Sequence, residues 1–322
     1  THTIDKEKWF PNCYWAIDGT KLDWIHQWED SSNKLGAKLK IDVMFDVYSE
    51  KIIGYDLSFT ESHIEHFNTI KMAVNESQCR PYFLTYDNQS GHKMERMQNL
   101  YSSLVAKDGG RHYPGAAKEH GNPAEGLFKR FQQQVLNKFW FSDGQSITVR
   151  RADNKMNIDF IKKNKGRIKT VEELHKVLEA AVNMWNNRPK NQTKGCKSRN
   201  ELYNDPMPMR EELSLFDIMD KMWIEQKKRE VKYRREGLRF RLGEDVREYE
   251  VLDADGNIDI EFRRKHVGDK FIVRYDPSFL DGYIQLCKKD ANGDVYQVAN
   301  AQPKRKMQPV PALMDEGDKE QW

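Results

Sequence analysis

The sequence predicts an α/β layer architecture, a mixed sheet with flanking helices, followed by a small all-β barrel. Three observations carry this. Residues 39–48 alternate apolar and polar between two further strand-like runs, at 13–21 and 51–59. From residue 62 to about 139, helix-like and strand-like periods take turns. Beyond about residue 238, the turn signals Asp255-Gly256 and Asn292-Gly293 separate short strand patterns.

The elements follow in order. Cys13-Tyr14-Trp15-Ala16-Ile17-Asp18-Gly19-Thr20-Lys21 reads as a buried strand that carries one carboxylate, although Asp-Gly is also a common turn pair. Leu39, Ile41, Val43, Phe45 and Val47 form one face of the second strand, and a tight Ser49-Glu50 connection leads into the third, antiparallel to it. Ser62-His63-Ile64-Glu65 has capping-box spacing, and Ile64, Phe67, Ile70 and Val74 continue at helical spacing. Pro81 stops that helix. A short apolar strand then ends at Asp87. Met94, Met97, Leu100, Tyr101 and Leu104 mark a second helix, broken by Gly109-Gly110, and residues 111–117 suit a further short strand. Gly121-Asn122-Pro123 introduces a helix expected over about 124–139, since proline suits a first turn. Thr170-Val171-Glu172-Glu173 caps another, with a stripe of Leu174, Val177, Leu178, Ala181, Val182 and Trp185. Composition shifts at Pro206-Met207-Pro208. Residues 206–237 read as a basic helical linker after a core at 1–205, residues 238–302 as the barrel, and residues 303–322 as a loose tail. In the barrel, Ile258, Ile260 and Phe262 alternate as a strand would, as do Phe271, Val273 and Tyr275.

Composition bounds the rest. A chain of 322 residues holds more than one domain and can bury a proper core. Its formal charge of +3 says little about partners, so local clusters must. Four scattered cysteines without a CxxC pair argue against a zinc ribbon or disulfide framework and fit a reducing compartment. There is no apolar run near the roughly 20 residues of a membrane span, and no signal peptide is visible. A cytoplasmic place on DNA is expected. The first residues are Thr-His-Thr, so the sequence reads as a piece of something longer.

Asp18, Asp87 and Glu125 are the candidate catalytic set. They lie on a first strand, at the end of a fourth, and in the first turn of a helix. Carboxylates gathered by folding repel and tend to protonate unless cations intervene. Magnesium takes carboxylates and water without a full protein cage, and two such ions can clamp the attacking and leaving oxygens of a phosphodiester. Glu119 competes for the third place, but it precedes a Gly-Asn-Pro breaker and so reads as loop. At an N-terminus Glu125 would also favour the helix dipole, which needs no partner aspartates.

At these residues the chain resembles transposases of the retroviral-integrase superfamily, most closely the bacteriophage Mu transposase group, with its RNase H-like catalytic core. Trp15-Ala16-Ile17-Asp18-Gly19-Thr20 resembles the first-aspartate strand, Tyr48 to Tyr55 the strand-turn-strand segment, and Thr85-Tyr86-Asp87-Asn88-Gln89 the second-aspartate motif. Gly121 to Phe131 resembles the segment around the family's glutamate. Trp185-Asn186-Asn187-Arg188-Pro189 and Ser198 to Tyr203 resemble the end of the core, and the barrel with Tyr275-Asp276-Pro277 the domain after it. Two departures stand out. Between Asp87 and Glu125, 37 residues intervene where retroviral integrases commonly have 35, and Gly126 follows the glutamate where Arg or Ser is frequent. The family's DNA-end-recognition domains have no counterpart here. The resemblance implies a five-stranded RNase H-like sheet and Asp18, Asp87 and Glu125 as ligands of two Mg2+ ions, which Mn2+ can replace. It also implies hydrolytic nicking of transposon-end DNA and joining of the 3′-hydroxyl to target DNA. A homo-oligomer on paired DNA ends and an ATPase partner that delivers target DNA follow from the same likeness.

Several side chains are candidates for touching DNA. Lys129 and Gln133 follow Glu125 at i+4 and i+8, a face that could equally be merely solvated. Residues 150–169 carry eight basic and two acidic residues, with Lys163, Lys165 and Arg167 among them; residues 223–242 carry eight and three. Lys228, Lys232 and Arg235 recur there at helical spacing. Dense cations match a phosphate backbone. Asn88 reads as a turn residue or as an orienter of Asp87, and His92 and His112 read as structural. The competing functions are an RNase H-like or junction-resolving nuclease that does not join strands, and an inactive DNA-binding relative.

Overall fold

The computed structural model describes residues 6–27, 35–36, 39–59, 63–88, 91–115, 122–142, 158–190, 196–226, 230–242, 245–276 and 279–304. The chain divides into two compact units, Thr1–Lys221 and Met222–Trp322.

The first unit is built on five strands: β1 (Tyr14–Lys21), β2 (Lys40–Asp46), β3 (Ile52–Ser58), β4 (Phe83–Tyr86) and β5 (Arg111–Pro114). Their spatial order is β3-β2-β1-β4-β5. β2 runs antiparallel to β1 and β3, whereas β4 is parallel to β1 and β5 to β4. The helices are α1 (His63–Ser77), α2 (Glu95–Leu104), α3 (Pro123–Gln134), α4 (Ile158–Lys163), α5 (Val171–Asn186), α6 (Arg199–Tyr203) and α7 (Leu215–Met222). A mixed five-stranded sheet with flanking helices fits an RNase H-like core.

β1 reads as a continuous apolar run because both its faces are covered. Ala16 joins Val43 and Phe45 in a core with Leu127, Phe128 and Phe131 of α3 and Trp185 of α5, while Trp15 and Ile17 are wholly buried on the other side. α1 packs against β3 at Gly54, where a Cβ would lie 2.2 Å from the Thr69 carbonyl oxygen, so only glycine permits that approach. β3 is an edge strand, and Asn186 closes part of its edge: its amide group donates to the Ile52 carbonyl and accepts from the Ile52 N–H, at 3.0 and 2.9 Å. α3 is shorter than expected. It ends at Gln134, and a 3-10 turn at Leu136–Lys138 replaces the last turn.

The second unit contains β6 (Ile224–Glu225), β7 (Val231–Arg234), β8 (Gly237–Leu242), β9 (Asp245–Glu250), α8 (Ile260–His266), β10 (Lys270–Tyr275), β11 (Ile284–Lys289) and β12 (Val295–Pro303). β7, β8, β9, β12, β11 and β10 pair in a ring, with β10 bonded to both β7 and β11, and β6 pairs onto β10. This is a closed six-stranded barrel around Tyr233, Phe240, Tyr249, Phe271, Val273 and Leu286. Closure leaves few exposed edges, which a small β-domain needs.

Two expectations fail in this unit. Lys232 lies on β7 and Arg235 in the turn after it, so no helix presents them together; the tight Arg234–Gly237 hairpin, with Gly237 at φ +90°, takes their backbone into the barrel. The stretch read as a linker thus supplies β6 and β7. Lys228, the third member of that face, is outside the described residues. The alternation of Ile258, Ile260 and Phe262 is likewise no strand. Asp259 caps α8 by accepting from the Phe262 N–H, and the Phe262 ring then packs at a tilt against His266 four residues on. The tail at 305–322 and Glu119 also lie outside the described residues. No described helix is long and apolar enough to cross a membrane.

Candidate active site

Pairing register brings the two aspartates together. Ala16 of β1 and Thr85 of β4 are direct partners in the parallel pair. Asp18 and Asp87 each stand two residues further on, Asp18 within β1 and Asp87 just past β4, near enough for the charge of Asp87 to act on Asp18. Asp87 is the first residue past the end of β4, where a carboxylate gains room beyond the ladder.

Asn122 brings the third. It is the N-cap of α3, with Pro123 at the first helical position. Its Nδ2 donates to the carbonyl of Ile17, next to Asp18, at 2.9 Å. Its Oδ1 accepts from the Ala124 N–H at 3.1 Å and from the Thr85 hydroxyl at 3.3 Å. One side chain thereby ties the start of α3 to both aspartate-bearing strands. Glu125 follows in the first turn, exposed, with Lys129 and Gln133 exposed below it.

The result is electrostatic crowding. Burial pushes the Asp18 carboxyl up to about 7, and the negative charges of Asp87, Asp42 and Glu125 add to the rise. The Gly19 N–H opposes it only in part. Asp42 was not anticipated. It sits on β2 opposite Gly19, is 4% exposed, and accepts at Oδ2 from His66 Nδ1 at 2.9 Å, whereas its Oδ1 has no hydrogen-bond partner among the described residues. His92, read from the sequence as structural, is a neighbour of the site as well. Its Nε2 lies 3.2 Å from Asp87 Oδ1, and its ring stacks on His66 with centroids 4.0 Å apart. Burial and the nearby His66 lower the pKa of His92 to about 3, so the ring is neutral.

His112 bonds the Tyr86 and Ser102 hydroxyls, which is a structural role. Asn88 is exposed in a bend directly after Asp87. Lys163 ends α4, and Lys165 and Arg167 form the 3-10 turn after it; Lys163 and Arg167 are exposed and Lys165 is half-buried. On the barrel, Lys232 and Arg234 of β7 and Arg239 and Arg241 of β8 line one concave surface of about 620 Å³ with Gln226, Glu230 and other neighbours.

The carboxylate set has the chemistry of a hard-cation site: oxygen donors that repel one another, with acids supplying the charges that act on Asp18. As placed, no three Asp, Glu, His or Cys side chains among the described residues stand close enough to hold one ion. By donor chemistry the carboxyls suit such an ion: Asp18 lies on β1 and Asp87 directly after β4, both half-buried, while Glu125 is exposed on its helix.

No family model and no curated protein matches the chain. Solved structures similar to it are integrases. A simian T-cell lymphotropic virus intasome in complex with PP2A regulatory subunit B56 gamma is 14% identical over 94% of this chain and 81% of that one, with a TM-score of 0.40. The catalytic core of BIV integrase is 18% identical over 60% and 93%, TM-score 0.35. The HTLV-2 integrase core in complex with magnesium is 13% identical over 61% and 98%, TM-score 0.36. Likeness of this degree adds nothing to what strand order and the carboxylates say by themselves.

Proposed function

We propose that the chain is a metal-dependent polynucleotidyl transferase of the Mu-like transposase type, acting on DNA. The observation that carries this reading is Asp18 on β1, set within electrostatic reach of Asp42, of Glu125 and of Asp87, which directly follows the adjacent strand β4. A fold tolerates such crowding where a cation is to be held.

Asp18, Asp87 and Glu125 would hold two Mg2+ ions, with Mn2+ able to replace them. When bound, such ions activate the attacking oxygen and stabilise the leaving one. The chain's own groups do the rest. β1 and β4 hold Asp18 and Asp87 rigidly, and Asn122 keeps the start of α3 against them. Lys129 and Gln133, on the exposed face of α3 with Glu125, hold the DNA near the scissile phosphate. Water opens the phosphodiester first, and the freed 3′-hydroxyl then attacks target DNA, with no covalent protein–DNA intermediate. Assembly as a homo-oligomer on paired DNA ends belongs to the same reading.

The barrel is the DNA-holding domain in this proposal. Lys232, Arg234, Arg239 and Arg241 present four cations from two neighbouring strands, a cluster suited to a phosphate backbone. Lys163, Lys165 and Arg167 form a second such cluster on the core.

A strand-joining assay on end-containing duplexes tests the reading. Asp18→Asn, Asp87→Asn or Glu125→Gln should each reduce nicking and joining by on the order of a thousandfold or more while DNA binding persists. Nicking without joining would support the nuclease instead, and no metal-dependent cleavage would leave only a DNA-binding relative. Replacing Lys232, Arg234, Arg239 and Arg241 with alanine should lower the slope of log affinity against log salt by about one for each phosphate no longer neutralised. An unchanged slope would remove the barrel from the DNA path.

A further inference from the structure

We propose that His92 is a positioning residue for the second aspartate: its ring donates a hydrogen bond through Nε2 to Asp87 and fixes which carboxylate oxygen faces the metal site. This rests on the metal-dependent reading above and goes beyond it by assigning a residue outside the carboxylate set.

The proton inventory decides the tautomer. As a metal ligand Asp87 is a carboxylate that offers only lone pairs, so in that role the imidazole nitrogen 3.2 Å from its Oδ1 is held there favourably as the proton donor. That makes Nδ1 the acceptor. Its partner is the Tyr101 hydroxyl at 2.5 Å, which donates. Tyr101 is wholly buried and His92 is 1% exposed, so water does not compete for either group. The ring has little freedom to turn. His66 stacks on it at 4.0 Å with 20° between planes, and the Tyr86 ring lies at 5.2 Å. The backbone is pinned as well, because Gln98 Nε2 donates to the His92 carbonyl at 2.7 Å.

The stack extends this arrangement. His66 gives its Nδ1 to Asp42, the unanticipated acid that acts on Asp18. Two face-to-face imidazoles therefore each address one carboxylate beside the site, one from β2 and one from the end of β4. Packing an aspartate against a buried, tautomer-locked histidine is the outer-layer support that metal ligands need, and its loss typically costs about 10- to 100-fold in affinity or activity. A histidine present only to fill space would need neither the bond to the aspartate nor the tyrosine lock.

The test titrates Mn2+ alone, by calorimetry, into the full chain and four variants. His92→Phe keeps the stack and removes the donor; it should weaken Mn2+ binding about 10- to 100-fold. His92→Gln restores an N–H near the Nε2 position and should return affinity to within a few-fold of wild type. Tyr101→Phe is conservative and leaves Asp87 untouched, but it releases the tautomer lock; it should weaken binding by several-fold. It decides the matter if His92→Phe does not fold. Asp18→Asn, which leaves His92 alone, serves as the control. A merely structural histidine would lower the thermal midpoint without changing Mn2+ affinity. Folded His92→Phe and Tyr101→Phe that bind Mn2+ as wild type does, while Asp18→Asn does not, would overturn this role and leave the metal site standing. Wild type that binds no Mn2+ would overturn both.

Discussion

Asp46 and Asp18 are carboxylates on neighbouring strands of one sheet, and the fold treats them in opposite ways. Asp46 ends β2, is completely buried, and is well supplied: it accepts from the Asn12 N–H at 2.8 Å, the Ser49 N–H at 2.9 Å and the Ser49 hydroxyl at 2.5 Å. Burial pushes its carboxyl up to about 6, with those bonds pulling the other way. Asp18 is raised as well, to about 7: burial is the larger cause, the charges of Asp87, Asp42 and Glu125 add to it, and one backbone N–H opposes them. Burial alone therefore does not mark a functional carboxylate. What marks it is burial left uncompensated among like charges. Asp46 holds a turn together, and Asp18, in the proposed reading, is left for a cation.

The same substitution at both positions should separate them. Asp46→Asn should cost about 1–3 kcal/mol, because the new amide faces donors it cannot accept from as well, while activity per folded molecule is retained. Asp18→Asn should do the reverse above pH 7, raising the denaturation midpoint of metal-free protein as it abolishes activity. Chemical denaturation at pH 8 with a chelator reads both. Equal destabilisation by the two would erase the distinction.

A pH series resolves the two further. For an acid whose folded pKa is raised, the folded state binds more protons between the two values, so stability falls as pH rises. Asp18 should thus destabilise metal-free protein progressively from about pH 4 to pH 7, by on the order of a few kcal/mol when complete. Asp46 and Asp56, each raised to about 6 chiefly by burial, contribute in the lower part of the same window. Subtracting the Asp18→Asn profile from that of wild type isolates Asp18, and the difference should grow between pH 5 and 8.

How much of this was legible in the sequence differs by element. Asp18, Asp87 and Glu125 stand out because each interrupts or follows an apolar run whose period is plain. The supporting side chains do not. Asn122 reads as part of a Gly-Asn-Pro breaker; an asparagine before a proline is also an N-cap signature, which could have pointed to it. Its bonds to Ile17 and Thr85 exist only once α3 has packed across the sheet. Asp42 occupies a position in a period-two strand that looks solvent-facing, and α1 covers it in the fold. His92 has no local pattern at all, since its partners come from α1, α2 and the end of β4. The barrel shows the converse failure. Lys232 and Arg235 fit helical spacing, but β-branched Val231 and the Glu236-Gly237 turn favour a hairpin, and closure with β10 fixes it.

If the charge on Asp18 is left uncompensated so that a divalent cation can be held there, the cation should stabilise the fold through that one group. The thermal midpoint at pH 8, with and without Mn2+, reads this for wild type and Asp18→Asn. Saturating metal at about a hundred times its dissociation constant should stabilise wild type by about 2.7 kcal/mol. Asp18→Asn should start higher without metal and gain little from it. A wild type that Mn2+ does not stabilise, or an Asp18→Asn variant stabilised to the same extent, would show that Asp18 holds no cation.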